Sequence, residues 1–225
     1  MGVLAIDFEA RTMHYYAMSK HKRAAIFAAG LLLLALLILL DHSTVERKLQ
    51  RQPKSEGQLR TRDFEKYHDK IFNVVNVVDG DTIDIDIADG KYPHTRVRLW
   101  GVDTPETKHP ERGVMYFGQE ASEFTKKLTL GKQVTIYLDK DNHTRCKYGR
   151  LLAYVQLPDG RFLNEVLLIE GFAYADLRFQ HSFHNKYKQL EAAAKSQKNG
   201  LWPKVTREQL PEWLQRERPE LLLKK

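Results

Sequence analysis

The hydrophobic and polar positions divide the chain into a long apolar segment near the N-terminus and a later series of short alternating runs. Residues 24–40 contain only alanine, glycine, isoleucine, leucine and phenylalanine. As a helix, this segment would measure roughly 26 Å, which is at the short end of what crosses a lipid bilayer. We therefore predict a single transmembrane anchor at 24–40.

A cleaved signal peptide and a buried helix of a soluble domain are the alternatives for this segment. The residues that follow it, 41–46, are Asp-His-Ser-Thr-Val-Glu, which make a poor signal-peptide cleavage site. Buried helices of soluble domains rarely lack a polar face altogether. The basic cluster at 20–23 favours a cytoplasmic N-terminus with the bulk of the chain outside the cytoplasm, although further basic residues follow the segment and weaken this orientation.

The composition changes again after the apolar segment. Residues 41–70 are highly charged and carry few large apolar side chains, which is typical of a tether. The last residues combine a possible short helix with an apolar and basic tail. Three interpretations of this tail stay open: it caps the folded domain, it touches the membrane, or it has no role. We predict a cytoplasmic segment at 1–23, the anchor at 24–40, a charged tether at 41–70, a compact domain at 71–202 and a C-terminal extension at 203–225.

Short apolar runs separated by turn signals begin at Ile71. Residues 82–87 alternate strictly between polar and apolar side chains, the pattern of a strand with one face in water. Asp79-Gly80 just before them favours a hairpin turn. Similar patterns predict strands at 71–78, 96–102, 133–138 and 151–157, and helices at 118–130, 164–170 and 182–198. Five short strands with about three helices predict an α+β, mainly β fold, built on a closed OB-fold-like barrel.

Composition narrows the class of partner. The formal net charge of +7 favours a polyanionic partner or an anionic membrane surface without choosing between them. Cys146 is the only cysteine, so an intrachain disulfide and a cysteine-based zinc cluster are both excluded. The sequence gives no sign of an obligate protein partner.

The chemically most suggestive stretch runs from Arg98 to Glu106. It opens with one cation on a predicted strand and closes with two carboxylates, Asp103 and Glu106, separated by Thr104-Pro105. Proline cannot donate to a sheet, so we expect the strand to end near Val102 and the acids to lie just beyond it. One carboxylate can hold a divalent cation, the other can take a proton from water, and the arginine can meet developing negative charge. A strand followed by an acidic, solvated turn would have the same sequence.

This stretch, taken together with several motifs elsewhere in the chain, decides between those interpretations. In chain order they are Val78-Asp-Gly-Asp-Thr82, Arg98 with Val102-Asp-Thr-Pro-Glu-Thr-Lys-His-Pro110, Lys147-Tyr-Gly-Arg150, Asn164-Glu165 with Gly171 and Ala173, and Gly200-Leu-Trp202. Together, from about Ile71 to Trp202, they resemble the staphylococcal nuclease, or thermonuclease, family. The resemblance implies an OB-like five-stranded barrel with three helices that hydrolyses nucleic acids.

The resemblance also implies a metal site. Asp81 and Asp103 match the metal carboxylates of the family, and the backbone carbonyl of Thr104 matches its third protein ligand. Oxygen ligands of this kind suit a hard cation, above all Ca²⁺, although carboxylates also bind other divalent ions.

The implied catalytic residues are one acid and two arginines. Glu106 matches the general base of the family, and Arg98 and Arg150 match the pair that binds the scissile phosphate. A planar guanidinium can bond two phosphate oxygens at once.

Other positions are carried over as substrate contacts or supports. Arg112, Lys147 and Tyr148 match positions that contact nucleotide phosphates, and Asp79 matches a position that supports the turn next to the metal ligands. At the two tyrosines that line the family's nucleotide cleft, this chain has Leu177 and Phe179. The Phe179 ring can still stack on a base, whereas Leu177 cannot.

The sequence therefore predicts a membrane-anchored, Ca²⁺-dependent nuclease that hydrolyses phosphodiester bonds in DNA, RNA or both with little sequence specificity. The predicted partners are the nucleic acid and, through residues 24–40, the lipid bilayer. The alternative is a non-catalytic nucleic-acid-binding module on the same barrel. Binding alone would tolerate the loss of Asp81, Asp103 or Glu106, and all three are present together with Arg98 and Arg150.

Overall fold

The structure is a computed structural model that describes residues 20–50, 56–107 and 113–222. The chain divides into two compact units, Met1–Lys54 and Ser55–Lys225. The second unit is larger than the predicted domain of 71–202, because it also contains the end of the predicted tether and the C-terminal extension.

The first unit contains helix α1, Lys20–Gln50, which includes the apolar run at 24–40. The side chains from Leu31 to Ile38 are exposed. Within the described part of the chain, no helix is both long enough and apolar enough to cross a membrane. The side chains at positions 26, 27, 39 and 40 lie outside the described set, so the anchor over 24–40 stays a prediction.

The second unit is built around a closed five-stranded barrel. The described residues of this unit form seven strands: β1, Lys70–Asp79; β2, Thr82–Ile85; β3, Thr95–Leu99; β4, Val102–Asp103; β5, Gln133–Tyr137; β6, Leu151–Gln156; and β7, Tyr174–Ala175. The barrel order is β1-β2-β3-β6-β5, in which only β3 and β6 are parallel. The predicted OB-fold-like barrel is confirmed.

The barrel interior is filled by the apolar positions that the alternating pattern marks. Ile83, Ile85, Val97, Ile136 and Leu151 are all completely buried. Because successive side chains of a strand point to opposite faces, alternate positions of neighbouring strands meet in one core.

Helices pack around this barrel. They are α2, Glu56–Tyr67; α3, Gly118–Thr129; α4, Leu163–Ile169; α5, His184–Gln197; and α6, Glu212–Glu217, with short 3₁₀ helices at Arg207–Gln209 and Pro219–Leu222. Helices α3, α4 and α5 correspond to the three predicted helices. Their apolar faces supply the residues, such as Ala121 and Leu167, that close the outside of the barrel.

Helix α2 occupies part of the segment 41–70 that we predict to be a tether. Tyr67 is completely buried, and its hydroxyl lies 3.0 Å from the hydroxyl of Thr95 on β3. Asp63 is buried against Arg145. The helix is therefore part of the compact unit and is held there by a buried tyrosine and a buried carboxylate. Its highly charged composition gives no indication of these contacts.

The strand that begins at Thr95 does not continue to Val102 as predicted, because the chain turns at Trp100-Gly101. Gly101 has a φ of 76°, and a Cβ there would lie 2.5 Å from the ring of His181. Beyond the turn, Val102 and Asp103 pair with β7 instead of with the barrel. The break places Arg98 and Asp103 on different strands.

The C-terminal extension packs on the domain. Leu210, Leu214 and Leu221 are buried in a small apolar cluster with Tyr174 and Trp202. The sequence alone left the role of this extension open. In the structure, its described residues, up to 222, pack against the domain.

Candidate active site

The turn between β1 and β2 presents Asp81. The Asp81 amide donates to a carboxylate oxygen of Asp79 at 3.2 Å, which supports the turn. Gly80 between them has no room for a side chain, since a Cβ would lie 2.7 Å from Oγ1 of Thr104. This tight approach brings the β1–β2 turn against the stretch that follows β4.

The Asp81 side chain is almost completely buried and fully hydrogen-bonded. Its Oδ2 accepts from the Thr104 amide at 2.9 Å, and its Oδ1 accepts from the Thr82 hydroxyl at 3.0 Å. The two acid-bearing motifs, 78–82 and 102–106, therefore meet directly. Their contact is what the sequence resemblance implies for a shared site.

Arg98 joins the two aspartates. It projects from β3 and forms ion pairs with Oδ1 of Asp81 and Oδ1 of Asp103. It also donates to the Val102 carbonyl at 3.4 Å. One guanidinium thus holds two buried carboxylates that would otherwise repel each other.

The pKa values of these side chains are shifted because their charges lie close together. Burial raises the pKa of Asp81 well above its usual range, Asp79 and Asp103 raise it further, and Arg98 opposes them. Burial lowers the pKa of Arg98, but Asp81 and Asp103 outweigh this effect and raise it overall. The arginine therefore stays charged, while the crowded acids disfavour the ionised form of Asp81.

Glu106 lies beside this cluster and is partly exposed. Burial raises the pKa of its carboxyl, as do Asp79 and Asp103, while Arg98 and Arg150 lower it. Its backbone carbonyl accepts from the Met115 amide at 2.9 Å. A Cβ on Gly118, at the start of α3, would lie 2.7 Å from that carbonyl, so this glycine allows the helix to approach.

Arg150 lies at the end of a turn that precedes β6. The turn is closed by the Gly149 amide, which donates to the Cys146 carbonyl at 2.8 Å. The Arg150 Nε donates to the Cys146 sulfur at 3.4 Å, and its guanidinium lies 5.4 Å from the centre of the Tyr148 ring. The charge of Arg150 lowers the pKa of the Glu106 carboxyl, but Arg150 itself lines a separate pocket with Arg96 and Tyr148, so its role at the acidic cluster stays a prediction.

Two aromatic residues among the predicted substrate contacts, Tyr148 and Phe179, lie at the surface. Tyr148 is 71% exposed, and Lys147 lies over its ring at 5.0 Å. Phe179 is half exposed and stacks on Trp100 with a centroid distance of 5.9 Å. Arg112 lies outside the described residues, and its predicted role stays a prediction.

His181 and His184 lie three residues apart, and the first is buried whereas the second is partly exposed at the start of α5. His181 is buried beneath Gly101, with Nδ1 accepting from the Phe183 amide at 3.2 Å. It packs against Tyr187 and Trp100. Its role in the structure is to support the turn that precedes β4.

The structure adds a site residue that the sequence does not predict. Trp213, on α6 of the C-terminal extension, donates from Nε1 to Oδ2 of Asp103 at 2.7 Å. It lines a pocket of 200 Å³ with Asp103, Thr104 and Glu106. Residue 213 lies beyond the family motifs, and no local pattern marks a contact across 110 residues.

The donor set fits a hard divalent cation. Among the described residues, no group of three or more His, Cys, Asp or Glu side chains is arranged so that it could hold a metal ion. Asp81 and Asp103 nevertheless offer carboxylate oxygens around one guanidinium, and Thr104 adds a backbone carbonyl. Carboxylate and carbonyl oxygens of this kind are suited to Ca²⁺, with water completing its coordination.

Comparison with known proteins agrees with this geometry. The family model described as "Staphylococcal nuclease homologue" matches residues 96–204. The chain is 37% identical to "Thermonuclease" of Staphylococcus hyicus over 147 residues, which cover 65% of this chain and 83% of the relative. It is 45% identical to "Thermonuclease" of Staphylococcus intermedius over 57% of this chain and 72% of the relative. It is also 38% identical to "Endonuclease YncB" of Bacillus subtilis (strain 168) over 62% of this chain and 65% of the relative.

Proposed function

This chain belongs to the staphylococcal nuclease family and is a nuclease, and we propose that it cleaves DNA or RNA with low sequence specificity and uses Ca²⁺ as its cofactor. The observation that carries the proposal is the Arg98 guanidinium bound to both Asp81 and Asp103, with Glu106 beside them. A protein that only bound nucleic acid would have no need to bury these acids together.

Asp81, Asp103 and the Thr104 carbonyl would hold the cation. When bound, Ca²⁺ would neutralise charge on the phosphate and polarise it toward attack. Before binding, Arg98 balances the two carboxylates, which keeps the ligands close together.

Glu106 is suited to act as the general base. Its carboxylate is half-buried next to the ligands but retains access to solvent. It would take the proton from the attacking water as the water oxygen bonds to phosphorus and the bond to the leaving oxygen breaks. The family resemblance implies products that end in 3′-phosphates.

Arg98 and Arg150 are suited to bind the scissile phosphate. Each guanidinium can donate to two phosphate oxygens, and these bonds strengthen as negative charge builds in the transition state. Arg150 is anchored by a weak contact with sulfur, so it can exchange this partner for a phosphate at small cost.

We further propose that residues 24–40 tether the nuclease domain to a membrane, with the domain on the extracytoplasmic side. The uninterrupted apolar run and the basic residues Lys20 and Lys22 before it support this arrangement. The test is extraction of membranes with alkaline carbonate. Recovery of the protein in the soluble fraction would contradict the tether.

The activity is tested with the full-length protein in detergent, mixed with a single-stranded DNA or RNA oligonucleotide in millimolar Ca²⁺ or in chelator. Glu106→Gln and Arg150→Ala should each reduce calcium-dependent cleavage by about a hundredfold or more. Glu120→Gln, at an exposed position of α3, is the matched control and should cleave normally. Wild-type protein that binds the oligonucleotide but never cleaves it would contradict the proposal and favour a binding module.

A further inference from the structure

Asp103 has a different partner for each of its carboxylate oxygens. Oδ1 is paired with Arg98, and Oδ2 accepts the indole N–H of Trp213 at 2.7 Å. Each carboxylate oxygen therefore has a planar donor of its own, which restricts rotation about the Cβ–Cγ bond. The indole donor is neutral, so it orients the oxygen without supplying a charge to compete with a cation.

Trp213 is itself held on one face. The guanidinium of Arg178 lies 4.1 Å from the centre of its ring. Arg178 is fixed in turn by Asp176, which accepts from Nε at 2.8 Å and from Nη2 at 2.7 Å. The indole ring is therefore fixed in position, and its N–H points at Asp103.

The rest of the extension is anchored to the scaffold that carries Asp103. Leu214, next to Trp213, is completely buried. Arg218 pairs with the buried carboxylate of Glu191 on α5 at 2.5 Å. The same carboxylate accepts the Ala175 amide at 2.9 Å, and Ala175 is in β7, the partner strand of β4. Asp103 lies in β4, and the segment that carries Trp213 is anchored through Glu191 to β7, the strand that pairs with β4. Both residues are therefore held by the same pair of strands.

We propose that the C-terminal extension completes the active site, and that Trp213 is a positioning residue that orients Asp103 for the cation. This inference rests on the proposed function, in which Asp103 is a metal ligand. Hydrogen bonds that orient a metal ligand commonly change metal affinity by tenfold to a hundredfold when they are removed. A tryptophan that only packed against the domain would affect stability without affecting affinity for the cation.

The test compares Trp213→Phe with Trp202→Phe in the full-length protein. Phenylalanine keeps an aromatic ring at 213 and removes the N–H. Trp202 lies in the same apolar cluster, and among the described residues its indole N–H has no hydrogen-bond partner, so its substitution is a matched control. Calcium binding is measured by titration calorimetry without substrate, alongside Tm, kcat and KM.

We expect Trp213→Phe to weaken calcium binding about tenfold and to lower kcat at fixed Ca²⁺, with little change in KM for the oligonucleotide. Trp202→Phe should leave calcium affinity unchanged while shifting Tm by about as much as Trp213→Phe shifts it. If Trp213→Phe binds calcium within twofold of an active wild-type protein, the inference is wrong and the proposed function stands. If the wild type itself does not cleave in calcium, the proposed function is wrong.

A second substitution covers the case in which Trp213→Phe does not fold. Benzothienylalanine in place of Trp213 keeps the bicyclic shape and the stacking on Arg178, and exchanges the N–H for a sulfur. The same tenfold loss of calcium affinity supports positioning by the hydrogen bond. Wild-type affinity in that protein overturns it.

Discussion

Arg145 and Asp63 form a bidentate ion pair that joins the segment before β6 to helix α2, across 82 residues of chain. The Arg145 Nε donates to Oδ2 of Asp63 at 2.7 Å, and Nη2 donates to Oδ1 at 2.9 Å. The Thr144 hydroxyl donates to the same carboxylate at 2.8 Å, and Asp63 is completely buried. Since the helix brings few apolar side chains to the barrel, this pair is a main attachment of α2.

The first prediction concerns this attachment. Asp63→Ala leaves Arg145 partly unpaired in a buried place, and breaking a buried pair from one side costs about 3 to 5 kcal/mol. We expect a loss at the lower end of that range, because Arg145 keeps its contact with Asp89. Chemical denaturation of the variant and the wild type measures this loss in the free energy of unfolding.

The control is Arg161→Ala, which breaks the exposed pair with Asp159. Exposed pairs contribute little, so this variant should unfold like the wild type. Equal effects of the two substitutions would mean that the contact of α2 with the barrel does not depend on Asp63.

The second prediction concerns the junction between the ends of α4 and α5. Gly171 has a φ of 72°, and a Cβ there would lie 2.3 Å from the Asn199 carbonyl oxygen. Gly160 has a φ of 87° with open space around it. Alanine at either position costs about 1 to 2 kcal/mol for the left-handed backbone.

Only Gly171→Ala adds a clash with a backbone carbonyl. We therefore expect it to lower the free energy of unfolding by at least about 1 kcal/mol more than Gly160→Ala. Parallel urea denaturation of the two variants measures the difference. Similar values would show that the junction can relax.

The third prediction is a dependence of stability on pH from His181. Burial, with a smaller contribution from the charge of His184, lowers the pKa of His181 to about 4, although Asp139 and Asp176 oppose the shift. Below its ordinary pKa of about 6.5, the unfolded chain binds a proton that the folded protein does not. The stabilisation is therefore complete above about pH 6.5 and is lost as the pH falls toward 4.

The expected loss between those limits is on the order of 3 kcal/mol, measured as the free energy of unfolding at a series of pH values. His181→Gln removes the titrating group and should flatten the profile over this interval. A slope that survives the substitution would assign the dependence to other groups.

Much of the barrel is predictable from the sequence, because its signals are local. The alternation at 82–87 and the Asp79-Gly80 turn each depend on neighbouring residues, and both elements form as predicted, although the strand ends two residues early at Ile85. The pairing of Asp81 with Arg98 follows from the adjacent strands β2 and β3, in which Thr82 lies opposite Arg98.

The remaining features depend on contacts that no local pattern records. Helix α2 looks like a solvated segment because its key buried residue, Asp63, is charged. The break at Gly101 depends on the distant ring of His181 filling the space beside it. The hydrogen bond from Trp213 to Asp103 joins segments outside and inside the family motifs, so neither composition nor spacing could predict it.

The last prediction separates two arginines that share one proposed task. Arg98 balances two buried carboxylates, so Arg98→Ala leaves Asp81 and Asp103 facing each other without a counter-charge, and we expect stability to fall by about 3 kcal/mol or more. Arg150 contacts a cysteine sulfur and an exposed ring, so Arg150→Ala should unfold like the wild type. Both should lose cleavage by about a hundredfold or more, since each removes a donor to the phosphate.

Calcium distinguishes the two variants further. A cation bound between Asp81 and Asp103 replaces part of the charge lost in Arg98→Ala, so millimolar Ca²⁺ should raise the Tm of that variant by more than it raises the Tm of Arg150→Ala. Thermal unfolding with and without Ca²⁺ measures this difference, with Mg²⁺ as a comparison ion. Equal stabilisation of the two variants would mean that the cation does not bind between the carboxylates that Arg98 holds.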